Sequence, residues 1–343
     1  MTAQVPRSRR ILELDALRGI AALAVLVFHY TVILPRFFPG AAEPAFRFAY
    51  GYYGVHLFFM ISGFVIFMTI ENCVRGRDFV VSRFARLYPA FWTAVILTFA
   101  IGSIFPLADQ RYSFGQLIVN LTMLHEYAKV ASIDGVYWSL TYELGFYFAI
   151  FVVYKLHLLN RIEWICLLWA SASALFQHYA AYIPHPVHFL TLLNDYAHLF
   201  AMGIMFHRIR SVGFSPLRAL VITLGLVAEY HQNGVIGLAI VAGFAAIFAL
   251  LIANRLGILR LPLFAFFGAI SYSLYLIHQL IGFRIIEALQ QHGMASTPSL
   301  ALTALLIVAL ASAMTFGVER PAMRFIRRAY RESRFAKPAA IAD

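Results

Sequence analysis

Residues 12–34, LELDALRGIAALAVLVFHYTVIL, constrain most strongly what this chain can fold into. Between Arg18 and Arg36 lie seventeen uncharged and mostly apolar positions. That is about the fewest that cross a hydrocarbon core as a helix. Yet the stretch holds Asp15 and Arg18 near its start and His29 deep inside. At about 100° per residue, Arg18 and His29 differ by only about 20° in direction, and Asp15 lies a turn before Arg18 on nearly the same stripe. The rise from Arg18 to His29 is about 16 Å, half a bilayer. Polar groups in lipid cost several kcal/mol unless paired or solvated, so the stripe has to face a bundle interior. Singly these groups have ordinary explanations. An intramembrane histidine is often an interhelical hydrogen bond, and an Asp–Arg pair at a helix start a cap and snorkelling anchor. All three on one stripe favour a working site.

Composition sets the class. Of 343 residues, 62% are hydrophobic and 13% charged, and the mean hydropathy is +0.76. A soluble domain carries about 25% charged residues. The expectation is an all-α membrane protein, one transmembrane domain over residues 1–343 with a basic cytoplasmic tail at about 320–343. Two cysteines, Cys73 and Cys166, exclude a disulfide framework and thiolate zinc sites, and no metal is expected. A cleaved leader over 7–45 is set aside, because Asp15 and Arg18 interrupt its apolar run and more spans follow.

Ten apolar spans are expected: 12–34, 50–70, 87–106, 136–156, 162–182, 188–207, 214–230, 234–253, 263–283 and 300–319. Residues 107–135 form the longest connection. Its middle, FGQLIVNLTMLHEY, is apolar but short, which predicts an interfacial or re-entrant helix. With the N-terminus in the cytoplasm, 21 of the 27 Lys and Arg fall in inside segments and 5 outside. That positive-inside split predicts ten crossings with both termini inside. The net charge of +11 is therefore topology, not a sign of nucleic acid, and the tail RRAYRESRFAK is expected to meet anionic lipid. No fixed-period repeat is legible.

Other polar groups stand out by depth. RFARLYP sets Arg83 and Arg86 three apart, on one helical face. Two guanidinium forks at a membrane surface suit phosphates, or are plain positive-inside anchors. In YGYYGVHLFFMISGF the glycines and Ser62 allow close helix packing, and His56 is expected at the interface. In DGVYWSLTYELGFYFAI, Glu143 lies about 10 Å below the outer surface, a depth like that of His29. A Glu143–His29 pair would fix the imidazole tautomer and stabilise its protonated form; a structural interhelical hydrogen bond is the alternative. Asp195 and His198 are expected on one helical face, a buried pair being the plain reading. SYSLYLIHQ puts Ser271, Tyr275 and His278 at i, i+4, i+7, either a wall for a polar acceptor or a hydrogen-bonded packing seam. In GVERP, Glu319 is placed to pair Arg86 or Arg18.

At these residues the sequence resembles the acyltransferase-3 family of integral membrane O-acyltransferases, which acylate O-antigens, exopolysaccharides, Nod factors and related glycans. The resemblance rests on LDALRGIAALAVLVFH with its Arg-x10-His spacing, GVHLFFMISGF, the Arg-x-x-Arg element in RFARLYP, WSLTYELGFY, SYSLYLIH and the ERP near residue 320. It implies an acyl-CoA donor, acetyl-CoA first, reaching a bacterial inner-membrane enzyme from the cytoplasm. It also implies a hydroxyl acceptor on a cell-surface or lipid-linked glycan, with no permanently bound cofactor. The catalytic set would be His29, Glu143, Asp15 and Arg18, with His29 the essential histidine. Arg83, Arg86 and Tyr88 would meet the coenzyme, and Trp138, Ser271, Tyr275 and His278 the acceptor. His29 would act as the base, or would itself carry the acyl group outward. Many members add an extracytoplasmic hydrolase-like domain, and its absence here implies transfer by the membrane part alone. The rival reading is a proton-coupled transporter of a sugar or lipid-linked substrate. Against it, no matched pair of interrupted helices is legible.

Overall fold

The computed structural model describes residues 11–38, 43–106, 111–179, 182 and 195–335, and every regular element among them is helical. Among the described residues, five helices are long and apolar enough to cross a membrane, or up to seven if each of two bent pairs is one span. The protein is thus a helical, multi-pass membrane protein. The ten separate crossings resolve differently.

Helix α1 (Leu12–Phe28) runs into a π-helical turn at His29–Ile33 and a short α2 (Leu34–Phe37). Then come α3 (Gly54–Glu71) and α4 (Gly76–Ile104), with Pro89 inside α4. Helix α5 (Phe114–Leu121) starts at Ser113, whose hydroxyl accepts from the Gln116 N–H at 3.1 Å. At about 12 Å it is too short to cross, as residues 107–135 led us to expect. Helices α6 (Trp138–Lys155) and α7 (Ile162–His178) follow, bent against each other by 113°.

Helix α8 is Ala197–Val212; the start of the expected span 188–207 lies outside the described residues. Helix α9 (Pro216–Ile252) takes in two expected spans at once. Gly234 interrupts it at φ 68°, ψ −162°, in the left-handed region that glycine alone enters cheaply. Each half is about 27 Å long, near a hydrocarbon thickness.

The expected span 263–283 is a correction. It is two helices, α10 (Pro262–Ile277) and α11 (Leu280–Gln291), bent by 76° at His278–Gln279. An interrupted helix is therefore present where the sequence shows no Pro or Gly to announce it. Helix α12 (Ser296–Met314) passes through a second π-helical turn, Thr315–Glu319, into α13 (Arg320–Phe335), so the basic segment is helical.

The chain forms two compact units. The first comprises Met1–Ile20, His56–Cys73 and Phe146–Ala269; the second, Ala21–Val55, Val74–Gly145 and Ile270–Asp343. In the first, small residues let backbones touch: a Cβ on Gly203 would fall 2.9 Å from the Phe64 nitrogen, the packing mode of helices in lipid. Phe146 stacks on Phe200 at 4.2 Å. Its buried polar cluster corrects two expectations. His56 is buried, not interfacial, with Nε2 3.7 Å from Glu229. His198 meets Glu229 at 3.2 Å and Ser173 at 3.1 Å, so its carboxylate is Glu229 and not Asp195. Asn233 donates to the same carboxylate at 2.7 Å. Glu229 thus hydrogen-bonds one imidazole and one amide and faces a second imidazole, which offsets the cost of burying it.

Candidate active site

All candidate residues except Asp15 and Arg18 belong to the second unit. Its centre is a histidine pair. His278 Nδ1 faces only carbonyls, Tyr275 O at 2.8 Å and Leu274 O at 3.2 Å. A carbonyl accepts and never donates, so Nδ1 carries the proton and His278 Nε2 is an acceptor. His29 Nδ1 lies 3.1 Å from that Nε2 and 2.8 Å from Val25 O. Facing two acceptors, it must be the N–H. The lone pair of His29 is thereby left on Nε2, which no donor among the described residues takes. The two rings meet edge to face, centroids 4.9 Å apart.

The break in α10–α11 makes this pairing possible. The bend releases backbone groups that a straight helix would satisfy, and both find partners. Tyr30 donates its hydroxyl to His278 O at 2.9 Å. Asp134 accepts from the Leu280 N–H at 3.1 Å and from the Val136 N–H at 3.2 Å. A carboxylate at the first turn of α11 also suits the helix dipole. Asp134 lies in the loop before α6, and burial pushes its carboxyl up to about 6. Sequence reasoning missed Asp134, because the N–H it caps lies 146 residues away.

The ring that meets His29 is therefore His278, in the place expected for Glu143. The expectation treated 263–283 as straight, which sends the His278 ring elsewhere. Glu143 is part-buried on α6. Ser271 and Tyr275 are buried, and Tyr275 spends its hydroxyl on Ser139 at 2.6 Å and Val136 O at 3.1 Å. Tyr275 and His278 thus make the hydrogen bonds of a packing seam, one of the two readings of the 271–275–278 stripe. Trp138 is part-buried, edge-on to Tyr142 at 5.5 Å. Asp15 and Arg18 are part-buried on α1, in the first unit.

On α4 the two arginines separate. Arg86 forms an ion pair with buried Glu319, on the second π turn, and lies over the Tyr272 ring at 5.3 Å. This is one of the two pairings Glu319 was placed to make. Glu319 also accepts from Ser273 at 2.9 Å. Among the described residues Arg83 has no carboxylate partner; its Nη2 reaches Ser82 Oγ at 3.1 Å. Tyr88 stacks on Phe84 at 4.8 Å and donates to Thr122 O at 3.1 Å.

A multi-pass helical membrane protein with a buried histidine pair and an arginine element on another helix is the class defined so far. Residues 11–318 match the family described as Acyltransferase domain, and the chain belongs to that family, acyltransferase-3. A curated relative, acyltransferase MdmB of Streptomyces mycarofaciens, is 29% identical over 180 residues, which cover 49% of this chain and 45% of that protein. The chain thus spans less than half the length of the curated relative it matches. No solved structure matches the chain.

Proposed function

We propose that this protein is a membrane O-acyltransferase that moves an acyl group, acetyl by preference, from acyl-CoA to a hydroxyl of a cell-surface or lipid-linked glycan. The observation that carries the proposal is the direction of the His29 hydrogen bonds. With Nδ1–H held by Val25 O and His278 Nε2, the Nε2 lone pair is fixed and ready. That is the state a general base needs before it meets a hydroxyl. Family membership and the relative's name both support acyl transfer.

The steps balance as follows. Nε2 of His29 takes the acceptor's hydroxyl proton while the oxygen attacks the thioester carbonyl. The imidazolium keeps Nδ1–H on its two acceptors, which stabilise the new charge. Collapse of the tetrahedral intermediate breaks the C–S bond, and the proton on Nε2 passes to the departing thiolate. The products are an ester and free coenzyme A.

The test is His29→Ala, purified beside wild type, with coenzyme A release and glycan ester followed together. Loss of both, with expression and membrane insertion intact, is the expected result. Turnover at the wild-type rate overturns the assignment.

A further inference from the structure

Helix α13 lies along α4 through polar contacts. Tyr330 donates its hydroxyl to Asp78 at 2.8 Å, and Arg327 Nη2 reaches Ser82 Oγ at 3.5 Å. Arg83 Nη2 uses the same oxygen at 3.1 Å. Two guanidiniums therefore share one hydroxyl. Arg331 sits one turn further on, its Nε donating to Arg327 O at 3.3 Å, and Arg83, Arg86 and Arg331 all act on the Arg327 charge.

The acids nearby are already used. Glu319 takes Arg86, and Glu332 takes Arg328 at 2.7 Å. Among the described residues, Arg83, Arg327 and Arg331 have no carboxylate partner, and the buried Nε of Arg83 has no hydrogen-bond partner. Like charges gathered beside a low-dielectric core repel. With Glu319 on Arg86, Glu332 on Arg328 and Asp78 on Tyr330, the three guanidiniums are left to an anion from outside, and guanidinium forks match phosphate oxygens two at a time.

We propose that Arg83, Arg327 and Arg331 form a phosphate-binding site for the nucleotide end of the donor, with α13 as one wall. This rests on the acyl-CoA reading above and changes its division of labour: Arg86 is held by Glu319, and the basic helix supplies the second and third guanidinium.

The test measures binding of adenosine 3′,5′-bisphosphate to the full chain by calorimetry, in nanodiscs of phosphatidylcholine and of phosphatidylglycerol. Arg327→Gln is expected to weaken binding about tenfold or more in both lipids, the loss of one charge-assisted contact. Arg327→Gln with Arg331→Gln is expected to weaken it further. Arg328→Gln, on the arginine already paired with Glu332, is expected to stay within about twofold. A thermal melt run on each variant separates lost binding from lost fold. Bisphosphate affinity indifferent to Arg327→Gln overturns the proposal alone and leaves the donor reading standing. So does an effect confined to retained phosphatidylglycerol, which assigns the cluster to lipid headgroups. Wild type that binds no bisphosphate overturns both.

Discussion

His278→Ala tests the site more sharply than removal of His29 itself. His278 is wholly buried and gives His29 one of two acceptors for Nδ1–H. The other, Val25 O at 2.8 Å, survives the substitution and keeps the ring oriented. What is lost is a hydrogen bond that strengthens when His29 becomes an imidazolium. Such a bond is worth about 1.5–3 kcal/mol, and each 1.36 kcal/mol is tenfold in rate. The expected result is a fall in kcat of about 10- to 150-fold, with KM for donor and acceptor changed less than about twofold, because His278 touches neither. His278→Gln retains a side-chain acceptor oxygen and is expected to recover part of the loss. Truncating a buried ring also costs stability, about 2–4 kcal/mol by analogy with other core truncations, so rates are normalised to folded protein by a melt in the same detergent. Two results refute the reasoning. A kcat within about twofold of wild type means the pair does not tune the base. Inactivity as complete as in His29→Ala means His278 does chemistry itself.

Three further outcomes follow from the same geometry. Glu319→Ala leaves Arg86 facing a buried gap and Ser273 without its acceptor. Breaking such a pair costs about 3–5 kcal/mol, so a denaturant titration should show a loss of that size, and Glu319→Gln a smaller one. At Gly282 an added Cβ would fall 2.7 Å from Tyr30 Cζ and 2.8 Å from Cε1, pressing on the side chain that holds His278 O. Gly282→Ala is expected to lower kcat by more than Tyr30→Phe, which loses one hydrogen bond, about 1 kcal/mol or fivefold; equal rates would show the approach to be slack. Asp134 titrates at about 6 in the fold against 3.8 ordinarily, so the fold favours its protonated form. Its contribution is complete below about pH 4 and is lost as pH rises through 6, a swing of roughly 3 kcal/mol. Stability of wild type relative to Asp134→Asn should fall over that window and stay level above it, as read by melts between pH 4.5 and 8.

What could be read from the sequence and what could not divides along one physical line. The helical class, the shortness of the 114–121 helix and the Arg86–Glu319 contact were legible. Each rests on composition, length or charge, which need no knowledge of helix direction. His29 was legible for the same reason, as a polar group where lipid forbids one. Its partner was not. The stripe through Ser271, Tyr275 and His278 assumes an unbroken period of 3.6, and IHQL carries no local signal for a bend. The cause is tertiary: Tyr30 takes the freed carbonyl of His278 and Asp134 takes the freed N–H of Leu280. Two further departures carry a local mark. The π turns at His29–Ile33 and Thr315–Glu319 each slip the helical register just where a site group leaves the helix, His29 at the first and Glu319 at the second, and each is followed two residues on by a proline, Pro35 and Pro321, which has no N–H for the carbonyl four residues back. Such bulges cost hydrogen-bond quality and persist where a side chain has to be re-aimed. Periodicity thus fails at His29, at His278 and at Glu319; a proline stands just after the first and the last, and long-range contacts hold the bend at His278. Local preference and tertiary demand disagree where the chemistry is proposed to occur, which is where a sequence consistent everywhere else is expected to break its own rules.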